Sequence, residues 1–82
     1  MLEFDHDGDG RWEASSIMQD DDGVPFYYRI EVCDDGTFDV CYSDIELVRK
    51  GVSTFLMFVA AATYCQGVEN VNVDLARLER KD

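Results

Sequence analysis

The stretch YYRIEVCDDGTFDVCYS (residues 27–43) decides the fold. Two runs rich in β-branched and aromatic residues flank Asp34, Asp35 and Gly36, which form a turn signal. A two-residue turn would place the apolar residues of the runs on opposite faces, whereas a three-residue loop with Gly36 in the left-handed conformation places them on one face. The sequence therefore predicts an antiparallel hairpin. Its apolar pairs are Val32 with Phe38, Ile30 with Val40 and Tyr28 with Tyr42.

The opposite face of this predicted hairpin is polar and brings Glu31 to face Asp39. Two facing carboxylates repel, which a fold avoids unless a cation or a partner lies between them. The same register separates Cys33 from Cys41 by about 13 Å along the ladder, too far for a disulfide. Three cysteines without CxxC spacing predict reduced thiols and a cytoplasmic protein.

The flanking segments extend the hairpin into an α+β fold. Upstream, RWEASSIMQ (residues 11–19) alternates as a strand. Downstream, Ser43 and Glu46 have the spacing of a helix capping box, and apolar residues follow at helical spacing until Gly67, a natural stop. Residues 68–75 alternate as a short fourth strand. We therefore predict an antiparallel three- to four-stranded sheet in β-β-β-α-β order, packed on one long helix.

The predicted helix has more apolar residues than one sheet covers. The residues expected to face the sheet are Ile45, Val48, Val52, Phe55, Leu56, Val59 and Ala62. A second set lies off that face and comprises Leu47, Thr54, Met57, Phe58, Ala61 and Cys65. This second set predicts either a homodimer contact through the helix or a helix seated more deeply by the C-terminal strand.

A chain of 82 residues has room for one hydrophobic core, so residues 1–82 are predicted to form a single domain. Within it, residues 1–10 are an acidic N-terminal segment and residues 76–82 a frayed tail or a last helical turn. Residues 1–5 lack the basic and apolar regions of a signal peptide. The apolar run at 52–65 is interrupted by polar residues and too short to cross a bilayer.

Negative charge is concentrated in the N-terminal half. Residues 1–46 hold fourteen Asp and Glu against Arg11 and Arg29, a net charge of −12, while residues 47–82 have a net charge of +1. Solubility of a small domain needs only ~2–8 net charges. Direct binding to nucleic acid or anionic membranes is not expected, because it requires clustered Lys and Arg; a basic protein partner is. The carboxylates expected to contact this partner are Asp20, Asp21, Asp22, Glu31, Asp34, Asp35 and Asp39.

The N-terminal segment contains a partial calcium motif. Asp5, Asp7 and Asp9, followed by Gly10, have the spacing with which an EF-hand loop begins. The closing bidentate Glu is replaced by Ser16, and only four residues precede the loop, too few for an entering helix. A solvated acidic turn is therefore favoured, and a calcium-binding module through the three aspartates is the alternative. No other cofactor is expected.

No residue set points to an enzyme. His6 is the single histidine, and no Ser or Cys nucleophile is recognisably paired with it. Cys33, Cys41 and Cys65 occur in a strongly acidic chain, which disfavours the reactive thiolate, and zinc would need a fourth ligand and tighter spacing. We therefore expect a protein without catalytic activity.

A short, strongly acidic chain with a meander-plus-helix layout and no catalytic motif resembles the small phage-encoded inhibitors of bacterial defence. These include anti-CRISPR proteins and nucleic-acid mimics. The resemblance rests on size, charge and layout and includes no signature motif. It implies an acidic surface that mimics nucleic-acid phosphates and blocks a basic nucleic-acid-binding site, such as that of a CRISPR effector complex in the host cytoplasm. A calcium-binding module and a dimerising accessory domain are the alternatives.

Overall fold

The computed structural model describes residues 1–79, with side chains described at 1–47 and 58–79. Five strands precede one helix, and the strands form a single antiparallel sheet in chain order. The elements are β1 (Asp5–His6), β2 (Arg11–Gln19), β3 (Pro25–Val32), β4 (Thr37–Tyr42), β5 (Ile45–Ser53) and α1 (Thr54–Glu79). The α+β class, with an antiparallel sheet packed on one long helix, is confirmed.

The hairpin of β3 and β4 has the predicted register. Val32 pairs with Phe38, Ile30 with Val40 and Tyr28 with Tyr42. Gly36 has φ +84°, which is the left-handed conformation that the three-residue loop requires and that glycine adopts without strain. The predicted strand at residues 11–19 is also confirmed, as β2.

The segment after β4 is a strand, so the predicted capping box was wrong. Ser43 and Asp44 have φ 46° and 71°, and positive φ at both central residues is the condition for a tight type I′ hairpin turn. The Ser43 hydroxyl accepts a hydrogen bond from the Tyr27 amide at 3.2 Å rather than capping a helix. Pairing with β4 then carries the chain through Ile45–Ser53 as β5.

The predicted fourth strand at 68–75 was also wrong, because α1 runs through it to Glu79. Gly67 lies inside the helix and does not end it, although a mid-helix glycine costs about 1 kcal/mol relative to alanine. Cys65 and Glu69 are both buried one turn apart, so packing on the sheet extends the helix beyond the glycine. The order is therefore five strands followed by a helix; residues 76–79 are helical, and the rest of the predicted tail lies outside the described residues.

The core lies between one face of the sheet and α1. Its buried members are Tyr28, Ile30, Phe38, Val40, Ala61 and Cys65. Half-buried Trp12 packs against this core, with its ring centroid 4.7 Å from that of Phe58. His6 stacks on Trp12, with the two ring centroids 4.9 Å apart. Trp12 thus anchors β2, the first long strand, to the helix.

The helix presents to the sheet the face that was predicted to point away. Ala61 and Cys65 are buried and Phe58 packs against the core, whereas Val59 is 53% exposed. Of the set predicted to face the sheet, Ala62 packs against the core, while Ile45 lies on β5 and is exposed. The members of the two predicted sets that lie between 48 and 57 have side chains outside the described residues. The sheet-facing side of the helix was predicted wrongly because the predicted helix began at Ile45, in the segment that forms β5.

Candidate acidic binding surface

The carboxylates predicted to contact a partner lie along the whole length of the sheet. The aspartates at 20–22 occupy the turn between β2 and β3, and those at 34–35 occupy the turn between β3 and β4. β3 has eight residues, so these turns are separated by about 26 Å at the strand rise. Glu31 and Asp39 pair on the outer face, the face away from α1. The structure therefore does not gather the predicted residues into one patch.

Asp20 builds the turn between β2 and β3 from within. Its Oδ1 accepts hydrogen bonds from the amides of Asp22 at 2.8 Å and Val24 at 2.9 Å. The Asp20 amide in turn donates to the Val24 carbonyl at 2.9 Å. Because the Asp20 carboxylate is committed to the backbone, the exposed side chains of Asp21 and Asp22 are the charges this turn offers to a partner.

The opposite end of the sheet combines two acidic turns. Asp35 Oδ1 accepts hydrogen bonds from the Thr37 amide at 3.0 Å and hydroxyl at 2.5 Å. The Val32 amide donates to the Gly10 carbonyl at 2.9 Å, which joins the turn between β1 and β2 to this end. The exposed aspartates of the two turns are Asp7, Asp9, Asp34 and Asp35. Each end of the sheet thus carries a group of aspartates.

Arginines on the outer face neutralise part of its negative charge. Arg11 Nε donates to Glu31 Oε2 at 3.1 Å, and Arg29 Nε lies 3.7 Å from Glu31 Oε1. Arg29 also lies 3.7 Å from Asp44, which accepts a 2.6 Å hydrogen bond from the Tyr27 hydroxyl. That hydrogen bond, followed by desolvation, raises the pKa of Tyr27. Glu31 is consequently compensated within the protein and is less available to a partner than the turn aspartates.

Asp39 is also poorly placed to meet a partner. It is half-buried and faces Glu31 across the two strands, as predicted. Its Oδ1 is buried and has no hydrogen-bond partner among the described side chains. On its other side the backbone register places β5 residue Arg49 opposite it. The two outer-face carboxylates therefore contribute less exposed charge than the two ends of the sheet.

The three aspartates of the calcium motif lie on a hairpin. Asp5 belongs to β1 and pairs with Glu13, and the Asp7 amide donates to the Arg11 carbonyl at 2.7 Å. Gly10 has φ +70°, and a Cβ there would collide with the Val32 side chain, so this glycine serves the packing of two hairpins. Among the residues that the structure describes, no three His, Cys, Asp or Glu side chains could hold a metal ion. Calcium binding stays a prediction without a preformed site.

A buried carboxylate that was not predicted joins the helix to the sheet. Glu69 is 5% exposed. Its Oε1 accepts hydrogen bonds from the Ser16 hydroxyl at 2.7 Å and the Tyr28 hydroxyl at 3.1 Å. Its Oε2 accepts from the Ile17 amide at 3.0 Å, within the part of β2 where the register with β3 shifts. A bulge of this kind re-aims backbone groups away from the ladder.

The bonds around Glu69 are structural in character. Burial, followed by the charge of Glu69, raises the pKa of Tyr28, and the phenol is therefore protonated and able to donate its hydrogen bond. Burial likewise raises the pKa of Tyr42. A sequence signal existed, since Glu69 continues the sheet-facing spacing of Ala61 and Cys65. It was hidden because the helix was predicted to end at Gly67.

The residues considered for catalysis do not form a recognisable site within the described part of the chain. Cys33, Cys41 and Cys65 are free thiols. Cys65 is fully buried in the core, and this burial raises its pKa to about 12, so its reactive form is suppressed. His6 stacks on Trp12. The expectation of a non-enzymatic protein stays a prediction.

Comparison of the chain with protein-family models, curated proteins and solved structures gives no match. Within residues 1–79, no helix combines the length and the apolar character that a membrane span needs. The acidic ends of the sheet are therefore interpreted from their own residues and geometry.

Proposed function

We propose that this protein is a non-enzymatic inhibitor whose carboxylates occupy a basic nucleic-acid-binding surface of a partner protein. The observation that carries this proposal is the display of exposed aspartates at both ends of the sheet, in a half-chain where fourteen acids face two arginines. A net charge so far above the needs of solubility is best explained by a positively charged partner. The partner class implied by the resemblance is a bacterial defence complex, including CRISPR effectors, in the host cytoplasm.

The separation of the two acidic ends suits a nucleic-acid groove. The aspartates at 20–22 and those at 34–35 lie about 26 Å apart along β3, which corresponds to about eight base pairs at 3.4 Å each. A protein groove that holds a duplex or a heteroduplex lines that length with Lys and Arg. In the proposed complex the sheet lies along the partner's groove. One acidic end of the sheet lies at each end of this groove, and the partly neutralised outer face lies between them.

The turns hold their charges in place before binding. Asp20 and Asp35 accept backbone hydrogen bonds within their own turns, so the neighbouring aspartates Asp21, Asp22 and Asp34 project from defined backbone. Preorganised contacts lose less conformational entropy on binding. Association is steered by charge and weakens as salt screens it.

The test compares two variants with equal changes in net charge. D21N/D22N neutralises the tip of one acidic turn without touching the backbone bonds of Asp20. D74N/E79Q neutralises two exposed residues of α1 (Asp74 and Glu79) and serves as the control. Each protein is immobilised and exposed to a nuclease-treated bacterial lysate, and captured complexes are identified and assayed for nucleic-acid binding. We expect wild type and control to capture a complex that is released by high salt or duplex DNA.

The captured complex should lose binding to its nucleic acid when this protein is present. D21N/D22N should melt at or above the wild-type temperature and bind the complex at least ~10-fold more weakly, as expected for two charge contacts of about 0.7 kcal/mol each. If D21N/D22N captured the complex as well as wild type does, the interface would not include this turn. Capture that persists at high salt, or a captured complex that still binds its nucleic acid, would contradict the mimicry itself.

A further inference from the structure

The helix α1 has a second apolar face that the described residues leave uncovered. Tyr64, Val71, Leu75 and Leu78 are 45%, 57%, 51% and 67% exposed. They recur at spacings of three, four and seven residues, which places them on one side of a helix. This side is turned away from the buried residue Cys65. With two small exposed residues it forms the outer stripe, which comprises Ala60, Tyr64, Gly67, Val71, Leu75 and Leu78.

The outer stripe is uncharged in a molecule of net charge −11. Within residues 54–73 the one charged residue of the helix is Glu69, and it is buried. Two copies that approached through their sheets or turns would bring carboxylates against carboxylates, which costs free energy. Approach through the outer stripes avoids that repulsion, and it removes exposed Val and Leu side chains from water.

We propose that a second copy of this chain covers the outer stripe, with the two α1 helices antiparallel about a two-fold axis. Such an interface must be self-complementary, so that a contact from one residue to another is repeated in reverse. Placing Gly67 against Val71 of the second copy satisfies this condition. Val71 then enters the shallow apolar groove that Tyr64, Gly67 and Val68 line on the other copy.

The same register matches sizes along the rest of the stripe. Ala60 faces Leu78 of the second copy, and Tyr64 faces Leu75. Together with Gly67 against Val71 these are three types of pair, and in two of them a small residue meets a large one. In a parallel arrangement Gly67 would face Gly67 and leave a gap, while Leu78 would crowd Leu78. Close packing without voids or overlap therefore favours the antiparallel pair.

The size of the stripe makes this dimer reversible. Residues 60–78 span about 27 Å of helix at 1.5 Å per residue, and the helix is about 10 Å wide. The resulting footprint is well below the ~800 Å² that each partner contributes to a standard interface. We therefore expect a weak, readily dissociating dimer that strengthens with salt, because salt screens the repulsion between two acidic copies.

Sedimentation equilibrium of the full chain tests the proposal with a matched pair of substitutions. V71E places a charge in the centre of the outer stripe, whereas V59E places the same charge at an equally exposed valine on another side of α1. Wild type and V59E should shift from monomer to dimer as concentration and salt rise. V71E should associate at least ~10-fold more weakly, with an unchanged circular dichroism spectrum. A wild type that stays monomeric at all concentrations, or a V71E variant that associates as wild type does, would overturn the proposal.

Cross-linking tests the orientation of the two helices. An equimolar mixture of the variants A60C and L78C should form a disulfide-linked dimer under mild oxidation, because the antiparallel register brings these positions together. Wild type, which has three native cysteines, and each variant alone should not. Efficient linkage of L78C to itself would instead establish a parallel pair and refute the antiparallel register.

Discussion

At the scale of single residues, Glu69 does the most to fix how the helix lies on the sheet. Its two oxygens accept hydrogen bonds from Ser16 and Ile17 of β2 and from Tyr28 of β3. A buried carboxylate is costly unless its oxygens are satisfied. Because the three donors come from two strands, a shift of α1 by one residue would leave both the carboxylate and the donors unpaired. Glu69 thus specifies the register of helix on sheet.

Removal of this carboxylate should be the most damaging single change outside the apolar core. E69A leaves two hydroxyls and one amide without their acceptor, and each unpaired buried donor costs about 1–3 kcal/mol. We expect a loss of ~3 kcal/mol or more in the free energy of unfolding. E69Q should lose less, because its carbonyl still accepts hydrogen bonds while its amide group opposes a donor. E79Q, on the exposed end of the same helix, should stay within ~0.5 kcal/mol of wild type in urea unfolding.

Cys65 makes stability depend on alkaline pH. Burial raises the pKa of this thiol from 9.0 to about 12, so the folded protein holds the proton where the unfolded chain releases it. The stabilisation is complete below pH 9 and is lost as pH rises from 9 through about 12, by about 1.4 kcal/mol per pH unit. The C65A variant does not titrate at this position. Its free energy of unfolding should therefore lie below that of wild type at pH 8 and approach it at about pH 11. A constant difference would contradict the burial of this thiol.

At the scale of elements, the β3–β4 hairpin was predictable because all of its signals are local. Alternating apolar residues and a glycine at the one position needing positive φ define its register without help from the rest of the chain. The bounds of α1 were not predictable in this way. Ser43 and Glu46 have the spacing of a capping box, yet pairing with β4 outweighs that local signal. Residues 68–75 alternate as a strand does, but the contacts of Glu69 with β2 and β3 keep them helical.

A substitution at Gly67 distinguishes the observed helix from the predicted one. Gly67 lies mid-helix without positive φ, and a Cβ there would meet no atom within 4 Å. G67A should therefore raise the free energy of unfolding by about 1 kcal/mol, the difference in helix propensity between the two residues. A glycine that ended the helix in the left-handed conformation would give the opposite sign. Thermal unfolding of G67A and wild type measures this difference, at a protein concentration low enough that the outer stripe is unpaired.

At the scale of the whole molecule, the fold separates two kinds of surface. The sheet and its turns carry the excess of carboxylates, while the middle of α1 presents an uncharged apolar stripe to solvent. The charge asymmetry could be read from the sequence, since it needs only a count of residues. The division of the aspartates between two ends of the sheet, and the identity of the exposed helix face, could not. Both depend on the bounds of β5 and α1, which are set by contacts between distant residues.

Repulsion between crowded carboxylates should make this protein less stable at low salt than at higher salt. Raising the salt concentration shortens the Debye length from about 30 Å at 0.01 M to about 8 Å at 0.15 M. Repulsion between the aspartates within each acidic end should then weaken, and the melting temperature should rise. A gain of about 1 kcal/mol corresponds to roughly 4–8 °C for a domain of this size.

D21N/D22N should melt at or above the wild-type temperature at low salt and gain less from added salt, because part of its repulsion has been removed. Calorimetry at the two salt concentrations measures both effects. If the melting temperatures of wild type and D21N/D22N rose equally with salt, the turn aspartates would be too well solvated to repel each other. Their number would then carry no cost in stability, and it would no longer argue for a function.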